Sequence, residues 1–458
     1  MRKSLVALFL ALTMLVTLLA MPAMAEDKPV GWNDVNAEGY QFPDYSGETL
    51  SIMWWGSDTR AGITIKLIEM YEQLTGLKIE YEYYDGGSYW TQFQAKMSAN
   101  TLPDVFQMGN NWATYYSTIT PLNDFIADGT IDTTAISKTM LSTTVNPANG
   151  DVTGISNGAN ARCFAFNPAI FDECGVAYPT ANWTWDDFAA AARTIHAKTG
   201  NPAITTLEYN SLAYSVVTQW QEGYNFYTLD GSDFAFNGNT APLAYILDLL
   251  TTLMNEGCIA DYGIQNEIGT NVEADWIAYG DATMMMLSSN QFNALSKVAA
   301  ENDITLKLCT IPRVHADGQS GMIVRSSQQM SIYSGSQKKE IAANFLNFFV
   351  NSIEANKILN CERGVSINSD VLAALKADPE LSTPVTAEIY TMIDLIGSFE
   401  DAANTSPAEP TANEEISNVL KGTYFQGMAQ GKFTSAQEAA DQFWAEAQKI
   451  WARYATAE

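Results

Sequence analysis

Residues 49–84 have the sequence TLSIMWWGSDTRAGITIKLIEMYEQLTGLKIEYEYY and predict one strand–helix–strand unit. The apolar run at 49–55 is typical of a buried strand. Apolar residues then recur at helical spacing over 63–74, and Gly76 is a helix stop signal. Apolar and charged residues alternate over 77–84, which predicts a second strand. This order of elements predicts a parallel sheet covered by helices on both faces.

The same pattern continues along the chain. A helical pattern over 89–99 leads to a predicted strand at 104–108, and a further strand is predicted at 283–287. Capping-box sequences at 184–187 and 435–438 each predict the start of a helix. No long low-complexity linker separates these elements. We therefore predict an α/β protein whose two lobes share one chain and are joined by several crossing segments.

The first 25 residues have the pattern of a secretory signal peptide. Arg2 and Lys3 are followed by an apolar run at 5–20 and by small residues at Ala23 and Ala25. We predict cleavage after Ala25 and export to the periplasm or the extracellular cell-envelope space. An uncleaved membrane anchor is the alternative, although the apolar run is short for a spanning helix. No cysteine follows the cleavage site, so we expect no lipid attachment.

The charge and composition narrow the classes of partner. The chain of 458 residues has 24 Lys and Arg against 52 Asp and Glu, a formal net charge of −28. Nucleic acids and anionic membranes attract the opposite charge, which excludes both as partners. Hydrophobic residues make up 47% of the chain, enough for a large core, and the length fits two domains better than one.

Few residues offer the chemistry of a catalytic or metal centre. His196 and His315 are the only histidines, which argues against a catalytic triad and a histidine metal site. The five cysteines match no zinc or redox spacing; a Cys163–Cys174 disulfide and free buried thiols both remain open. The acidic pair at 186–187 is better explained by the first turn of a helix than by glycosidase chemistry. We predict no cofactor, no metal and no catalytic residue.

Aromatic residues follow two predicted strands at the edge where α/β sheets bind ligands. Trp54 and Trp55 end the first strand, and the sequence at 110–112, Asn-Asn-Trp, follows the strand at 104–108. An aromatic ring suits the apolar face of a sugar, whose hydroxyls bind amides and carboxylates. Since successive strand residues point to opposite faces, we expect one of the two tryptophans to pack into the core; the sequence does not decide which.

Six stretches occur in an order that covers nearly the whole chain after the signal peptide: 50–56 with Arg60, 89–90 with 102–105, 166–171 with 175–179, 183–188, 280–284 and 362–365. In these stretches the chain resembles extracellular solute-binding protein family 1, the maltose-binding-protein-like proteins that serve carbohydrate ABC importers. The resemblance implies a two-lobed periplasmic-binding-protein-like fold. Each lobe would be a mostly parallel sheet flanked by helices, with the ligand cleft between the lobes.

The resemblance also implies a domain division and a function. Residues 26–158 with 323–365 would form lobe I, and residues 159–322 with 366–458 would form lobe II. The protein would be a non-catalytic monomer that captures a sugar, most simply an oligosaccharide. Hinge closure would enclose the sugar, and the closed form would dock on the permease subunits of an ABC importer.

The family takes its sugar contacts from matching positions in both lobes. Carried over one by one, these positions are Trp54, Trp55, Arg60, Gln107, Asn110, Asn111, Trp112, Asn160, Arg162, Trp220, Ser289, Asn290, Ser320, Gly321 and Met322. Arg60 and Arg162 suit either a uronate carboxylate or neutral hydroxyls. We expect Arg363 to have a structural role near the hinge. Asn110 and Asn111 replace charged residues of some oligosaccharide binders, so a maltodextrin specificity does not follow.

Two other functions remain open at this point. An exported carbohydrate-active enzyme would use an Asp/Glu pair and would release product continuously. A binding protein of the same architecture for a polyamine, a peptide or an anion would fail to bind any glycan.

Overall fold

The computed structural model describes residues 33–136, 138–220, 225–269, 271–399 and 409–455. The predicted signal peptide, residues 1–25, lies outside these ranges. The strands are β1 (Thr49–Trp55), β2 (Lys78–Tyr84), β3 (Val105–Met108), β4 (Ile155–Ser156), β5 (Ala159–Asn160), β6 (Arg162–Phe166), β7 (Met284–Ser288), β8 (Lys307–Cys309), β9 (Arg325–Ser326) and β10 (Gln329–Ile332).

Helices occupy much of the remaining chain, and the last three run together through a π-helical turn at Leu420–Phe425 and a short loop. The α-helices are α1 (Asp58–Thr75), α2 (Gly86–Ser98), α3 (Asn123–Ala127), α4 (Lys138–Ser142), α5 (Pro168–Cys174), α6 (Trp185–Thr199), α7 (Tyr209–Trp220), α8 (Ala241–Asn255), α9 (Tyr262–Ile268), α10 (Phe292–Glu301), α11 (Lys339–Asn351), α12 (Ile353–Leu359), α13 (Ser369–Ala377), α14 (Pro384–Gly397), α15 (Asn413–Val419), α16 (Gln426–Ala429) and α17 (Ala436–Ala455).

The first sheet has five strands in the order β2–β1–β3–β10–β4. β1 pairs in parallel with both β2 and β3, and α1 and α2 make the connections, so the predicted strand–helix–strand unit is confirmed. β10 returns from much later in the chain and pairs antiparallel with β3 and β4. The carboxyl ends of β1 and β3 therefore meet at one edge of this sheet.

The second sheet has three strands in the order β7–β6–β8. Both pairings are antiparallel, whereas we expected mostly parallel sheets. The α/β fold class stands, but the direction of these strands differs because they come from segments far apart in the chain. No local strand–helix–strand pattern determines how such segments pair. Ile204 adds an isolated parallel bridge to Met284 at the side of β7.

A two-stranded ladder connects the two larger sheets. β5 pairs antiparallel with β9, with Ala159 opposite Ser326 and Asn160 opposite Arg325. Ala159 also exchanges both of its backbone hydrogen bonds with Val365, at 2.7 and 2.9 Å. Three crossing segments thus lie side by side: β4–β5–β6, the segment from β8 to β10, and the chain around Val365. We call this ladder with Val365 the hinge ladder.

The division into lobes at these crossings remains a prediction. β5 begins at Ala159 and β9 at Arg325, next to two of the predicted boundaries. The third crossing differs in detail. α13 packs on α12, and Ser369 donates a backbone hydrogen bond to Ala135 at 2.9 Å. α13 therefore contacts segments of predicted lobe I, and the boundary at residue 365 stays a prediction.

Asp187, from the acidic pair at the start of α6, forms the predicted capping box with Thr184. The Thr184 hydroxyl accepts a hydrogen bond from the Asp187 backbone, and the Asp187 carboxylate accepts one from the Thr184 backbone. At the second predicted box, Ser435 accepts from the Glu438 backbone, but the Glu438 carboxylate binds Thr434 instead. In both places the carboxylate stabilises a helix start.

All five cysteines are free and buried, so Cys163 and Cys174 form no disulfide. Burial raises the pKa of Cys163 to about 12, which keeps its thiol protonated and unreactive at neutral pH. Within the described ranges, none of the helices combines the length and the apolar character needed to span a bilayer. Among the same residues, no group of His, Cys, Asp and Glu side chains is placed to hold a metal ion.

We expect a methyl group at the hinge ladder to destabilise the fold. A Cβ atom on Gly158 would lie 2.6 Å from the Arg363 carbonyl oxygen, and one on Gly364, where φ is +108°, would lie 2.8 Å from the Ala159 carbonyl oxygen. Gly158→Ala and Gly364→Ala should each lower the free energy of unfolding in urea by about 1–3 kcal/mol.

Gly62→Ala is the matched control, because Gly62 lies within α1 and nothing stands within 4 Å of its Cβ position. This change should raise the free energy of unfolding by about 0.5–1 kcal/mol. Equal effects of all three substitutions would contradict the close packing of the hinge ladder.

Candidate functional site

A cleft lies where the edge of the five-stranded sheet faces the three-stranded sheet. Its volume is about 920 Å³, at the upper end of the roughly 300–1,000 Å³ of most small-molecule pockets. One wall comes from Trp55 and the start of α1, and the opposite wall comes from Arg162, Ser288 and Asn290. The floor consists of Asn160 and residues 325–328 of the hinge ladder.

Trp55 is the tryptophan that faces the cleft. Trp54 points to the other side of β1, where its ring has no exposed surface and packs near Tyr83 with 5.9 Å between ring centroids. The Trp55 ring is partly exposed and rests on Tyr89 and Trp90, at 4.9 and 5.5 Å between centroids. The alternation of strand residues thus separates the pair, and the aromatic cluster behind Trp55 holds its ring in place.

A buried polar contact lies behind the Trp55 wall. The Gln107 side chain, fully buried, donates to the Trp55 carbonyl oxygen at 3.3 Å and accepts from Nη1 of Arg363 at 2.6 Å. Nη2 of Arg363 donates to the Thr64 hydroxyl at 2.9 Å. Burial, with a smaller contribution from the charge of Arg60, lowers the pKa of Arg363 to about 9. Arg363 therefore joins β3, α1 and the third crossing, which agrees with a structural role.

Glu362 connects the two walls at the back of the cleft. Its carboxylate lies 3.4 Å from Nε of Arg60, on the side of the five-stranded sheet. Its backbone carbonyl accepts from Nη2 of Arg60 at 3.3 Å and from the Asn290 side chain, on the opposite wall, at 3.2 Å. A single residue of the third crossing thus holds one polar side chain from each wall.

Two arginines lie together between the floor and the second wall. Arg162 donates from Nη1 to the Ser288 hydroxyl at 2.5 Å and lies 2.6 Å from the Glu208 carboxylate. Arg325, on β9, also lines the cleft. Burial lowers the pKa of Arg162 to about 10, and repulsion from Arg325 acts in the same direction, against the attraction of Glu208.

A second, more apolar chamber adjoins the cleft. Its volume is about 120 Å³, and it shares Arg162, Arg325 and Glu409 with the cleft lining. Its remaining walls are mainly aromatic and aliphatic: Tyr214, Phe226, Tyr227, Ile311, Met322 and Ile323. The ring of Tyr214 stacks on that of Phe226 with 4.2 Å between centroids. We call this space the aromatic chamber.

The structure brings about half of the predicted site residues to these two spaces. Those that line the cleft are Trp55, Arg60, Asn160, Arg162 and Asn290; those that line the aromatic chamber are Arg162, Gly321 and Met322. Asn111 lies beside Gly109, which itself lines the cleft. The side chain of Asn110 is outside the described part of the structure.

Six predicted residues do not reach the cleft. Five are buried behind its walls: Trp54, Gln107, Trp112, Ser289 and Ser320. The small polar residues among them bind backbone, as the Ser289 hydroxyl does in accepting from Ala161 at 3.2 Å. Trp220 is 40% exposed at the end of α7, where it packs on Tyr245 outside both spaces. Most of these side chains lie on a face of a strand or helix that points away from the cleft. The order of residues in the sequence does not show which face will point toward it.

Several lining residues were missed from the sequence, notably Arg325, Glu208 and Tyr214. Glu208 directly precedes α7 and Tyr214 lies in its middle, whereas the residue predicted from the sequence, Trp220, lies at the end of this helix. Arg325 reaches the cleft only through the pairing of β9 with β5. No spacing in the sequence indicates that Arg325 and Asn160, which lie on strands far apart in the chain, pair with each other.

The arrangement of two sheets, a hinge ladder and an open polar cleft defines a solute-binding protein. The chain belongs to the bacterial extracellular solute-binding protein family, whose model matches residues 56–354. This confirms the resemblance found in the sequence.

Solved structures with the same fold include several from this class. A periplasmic oligogalacturonide-binding protein from Yersinia enterocolitica, in complex with saturated digalacturonic acid, has a TM-score of 0.75, 21% identity, and coverage of 89% of this chain and 99% of that chain. An ABC substrate-binding protein from Listeria monocytogenes, in complex with cycloalternan, has a TM-score of 0.69, 16% identity, and coverage of 88% and 98%. At these identities the likeness establishes the fold.

We expect Gln107→Leu to destabilise the protein by about 1.5–3 kcal/mol, because it removes an acceptor from the buried charge of Arg363. Urea unfolding of the purified protein measures this loss. Gln41→Leu, at an exposed glutamine whose side chain binds only the nearby Gly39 carbonyl, should change the free energy of unfolding by less than about 0.5 kcal/mol. A Gln107→Leu protein as stable as the parent would contradict the role given to this contact.

We expect the protein to lose stability at alkaline pH, because the hydroxyl group of Tyr214, in the wall of the aromatic chamber, is buried. Tyr214 donates to Asn413 at 3.0 Å, and burial raises the pKa of Tyr214 to about 12. Between pH 10 and 12 this phenol ionises in the unfolded chain but not in the folded protein, so the folded state binds more protons. The free energy of unfolding should fall as pH rises, by about 1.4 kcal/mol per pH unit for this group. Tyr214→Phe should reduce that slope; an unchanged slope would refute the assignment.

Proposed function

We propose that this protein captures a carbohydrate outside the cytoplasm and delivers it to an ABC importer. One observation carries the proposal: the cleft between the two sheets places the partly exposed ring of Trp55 opposite polar side chains from the other wall and the hinge ladder. An aromatic ring binds the apolar face of a sugar, and amides, hydroxyls and guanidinium groups bind its hydroxyls.

Unsatisfied polar atoms in the floor support a ligand with both donors and acceptors. Oδ1 of Asn160 and Oε1 of Gln328 are buried acceptors without a hydrogen-bond partner among the described residues, and Nε of Arg162 is a buried donor in the same condition. Buried polar groups without partners are unfavourable, so such groups in a cleft are suited to a polar ligand. Sugar hydroxyls supply both kinds of partner.

We propose that Trp55, Arg60, Asn160, Arg162 and Asn290 contact the sugar, with Gly321 and Met322 in the aromatic chamber. The cleft volume of about 920 Å³ favours an oligosaccharide over a monosaccharide. The Yersinia and Listeria proteins named above were solved with carbohydrate ligands. A further neighbour, from Arthrobacter globiformis, is a cyclic α-maltosyl-1,6-maltose-binding protein with a TM-score of 0.65, 19% identity, and coverage of 88% and 98%.

The proposed mechanism is closure about the hinge ladder. The two lobes of our prediction, exported as a monomer, would rotate toward each other and bring Trp55 to Asn290 and Arg162 across the sugar. A ligand that contacts both walls binds the closed form more tightly and so shifts the population toward it. The closed form would then be recognised by the permease subunits of the importer.

A non-catalytic role is favoured over glycoside hydrolysis. Glycosidases use two carboxyl groups that flank the scissile bond. In the cleft, the carboxylate of Glu208 is paired with Arg162 and that of Glu362 with Arg60. These two carboxylates therefore have basic partners of their own, an arrangement suited to holding side chains in position; Asp58, Glu273 and Glu409 line the cleft as well.

A thermal-shift screen of residues 26–458 against neutral and acidic oligosaccharides, polyamines and peptides tests the proposal. A ligand at a hundred times its Kd adds about 2.7 kcal/mol of stability and raises the Tm clearly. We expect a shift from one class of glycan, with the glycan recovered unchanged. A shift from polyamines or peptides alone, or steady conversion of the glycan to products, would refute the proposed function.

Trp55→Ala should weaken glycan binding by about tenfold, because it removes the aromatic surface on which the sugar stacks. Titration calorimetry below the Tm of each variant measures the Kd directly. Trp220→Ala is the matched control: Trp220 lies outside both spaces, so its removal should leave the Kd within about twofold. A loss of affinity in Trp220→Ala alone would move the site away from the cleft.

A further inference from the structure

We propose that the sugar carries a carboxylate group and that Arg325 and Arg162 bind this carboxylate together, at the opening between the cleft and the aromatic chamber. This inference rests on the proposed function and specifies its substrate class as an acidic glycan, such as a uronate-containing oligosaccharide. The juxtaposition of the two guanidinium groups at the floor of the cleft is the observation behind it.

The hinge ladder determines the position of both arginines. Arg325 lies opposite Asn160 in the β5–β9 pairing, and Arg162 begins β6 two residues after Asn160, on the same side of the chain. Arg162 and Arg325 both line the cleft and also line the aromatic chamber. Their guanidinium groups therefore stand where the two spaces meet.

The two arginines differ in their partners. Arg162 has Glu208 and Ser288, but its Nε donor is buried and has no acceptor. Arg325 makes no side-chain hydrogen bond or ion pair with any residue in the described ranges. Some hydrogen-bond donors of Arg162 and all side-chain donors of Arg325 thus lack a partner among the described residues, and both guanidinium groups lie at the same space.

The two guanidinium groups repel each other, and carboxylates stand near them. Glu208 and Glu409 also line the cleft, and Glu208 is paired with Arg162. Among the charges that act on Arg162, the repulsion from Arg325 is the largest, followed by the attraction of Glu208, and Glu409 contributes least. An added anionic group relieves this repulsion, and a carboxylate accepts hydrogen bonds from two guanidinium groups at once.

The remaining unsatisfied atoms distinguish a uronate from other ligands. Oδ1 of Asn160 and Oε1 of Gln328 require donors, which sugar hydroxyls supply and a simple inorganic anion lacks. A neutral sugar satisfies these acceptors but gives Arg325 no anionic partner. A sugar with a carboxylate matches both sets of groups, and its ring can stack on Trp55.

The test compares trigalacturonate with its trimethyl ester, which has the same rings and hydroxyls but no charge, and with neutral maltotriose. Calorimetric titration of the unmodified protein should give a Kd for trigalacturonate about 10- to 100-fold lower than for the ester, as expected for charge-assisted hydrogen bonds. This ratio should shrink as NaCl is raised, because salt screens the attraction.

Substitutions of Arg325 test whether the preference for the acid depends on this residue. Arg325→Gln should reduce the acid-to-ester ratio to below about threefold, and Arg325→Lys, which keeps the charge but loses the planar donor pair, should give an intermediate ratio. Arg193→Gln is the control, since Arg193 forms an exposed ion pair with Glu256. It should leave the ratio unchanged.

Equal affinity for trigalacturonate and its ester, or binding of maltotriose in preference to both, would overturn this inference and leave the proposed function standing. An acid preference that survives in Arg325→Gln would also overturn it, because the carboxylate would then bind elsewhere. Failure of every glycan to bind would refute the proposed function as well. The ratio in the unmodified protein decides the main point even if a variant fails to fold.

Discussion

The backbone pairing of Ala159 is the constraint on which the architecture depends. Its peptide groups bind Val365, and the same short strand pairs with β9, so three crossings are held in one ladder. These crossings approach so closely that Gly158 and Gly364 have no room for a Cβ atom. The ladder joins the five-stranded sheet to the three-stranded sheet and forms the floor of the cleft. The residues that connect the two sheets therefore also line the cleft.

Four arginines near this floor show how differently a buried positive charge can be accommodated. Arg363 donates to two neutral acceptors, Gln107 and Thr64, and burial lowers its pKa. Arg60 and Arg162 each have a carboxylate. Arg325 has neither kind of partner among the described residues, and like Arg162 it lines both the cleft and the aromatic chamber. Burying an uncompensated charge is unfavourable. The Arg325 guanidinium group, which has no ion pair among the described residues, lies in the cleft lining, where a ligand can reach it.

The sequence supported much of the fold but only part of the site. The unit at 49–84 and the capping box at Thr184 were predicted because their signals are local: periodicity, caps and a glycine stop. The directions of β6, β7 and β8 were not, because each strand pairs with a distant segment. Of the predicted site residues, Trp55 at the end of β1 and Arg162 at the start of β6 line the cleft. Arg325 depends on a pairing across the chain and was missed.

The sequence by itself determined the class of protein, its acidic character and its aromatic and polar candidates, because composition, motif order and local periodicity are properties of the linear chain. Only the tertiary structure decided which candidates meet. It buried Trp54 and exposed Trp55, enclosed Gln107 against Arg363, and turned Trp220 away from the cleft. The physical reason is that a side chain's role depends on which face of a strand or helix it occupies and on what packs opposite, and long-range pairing sets both.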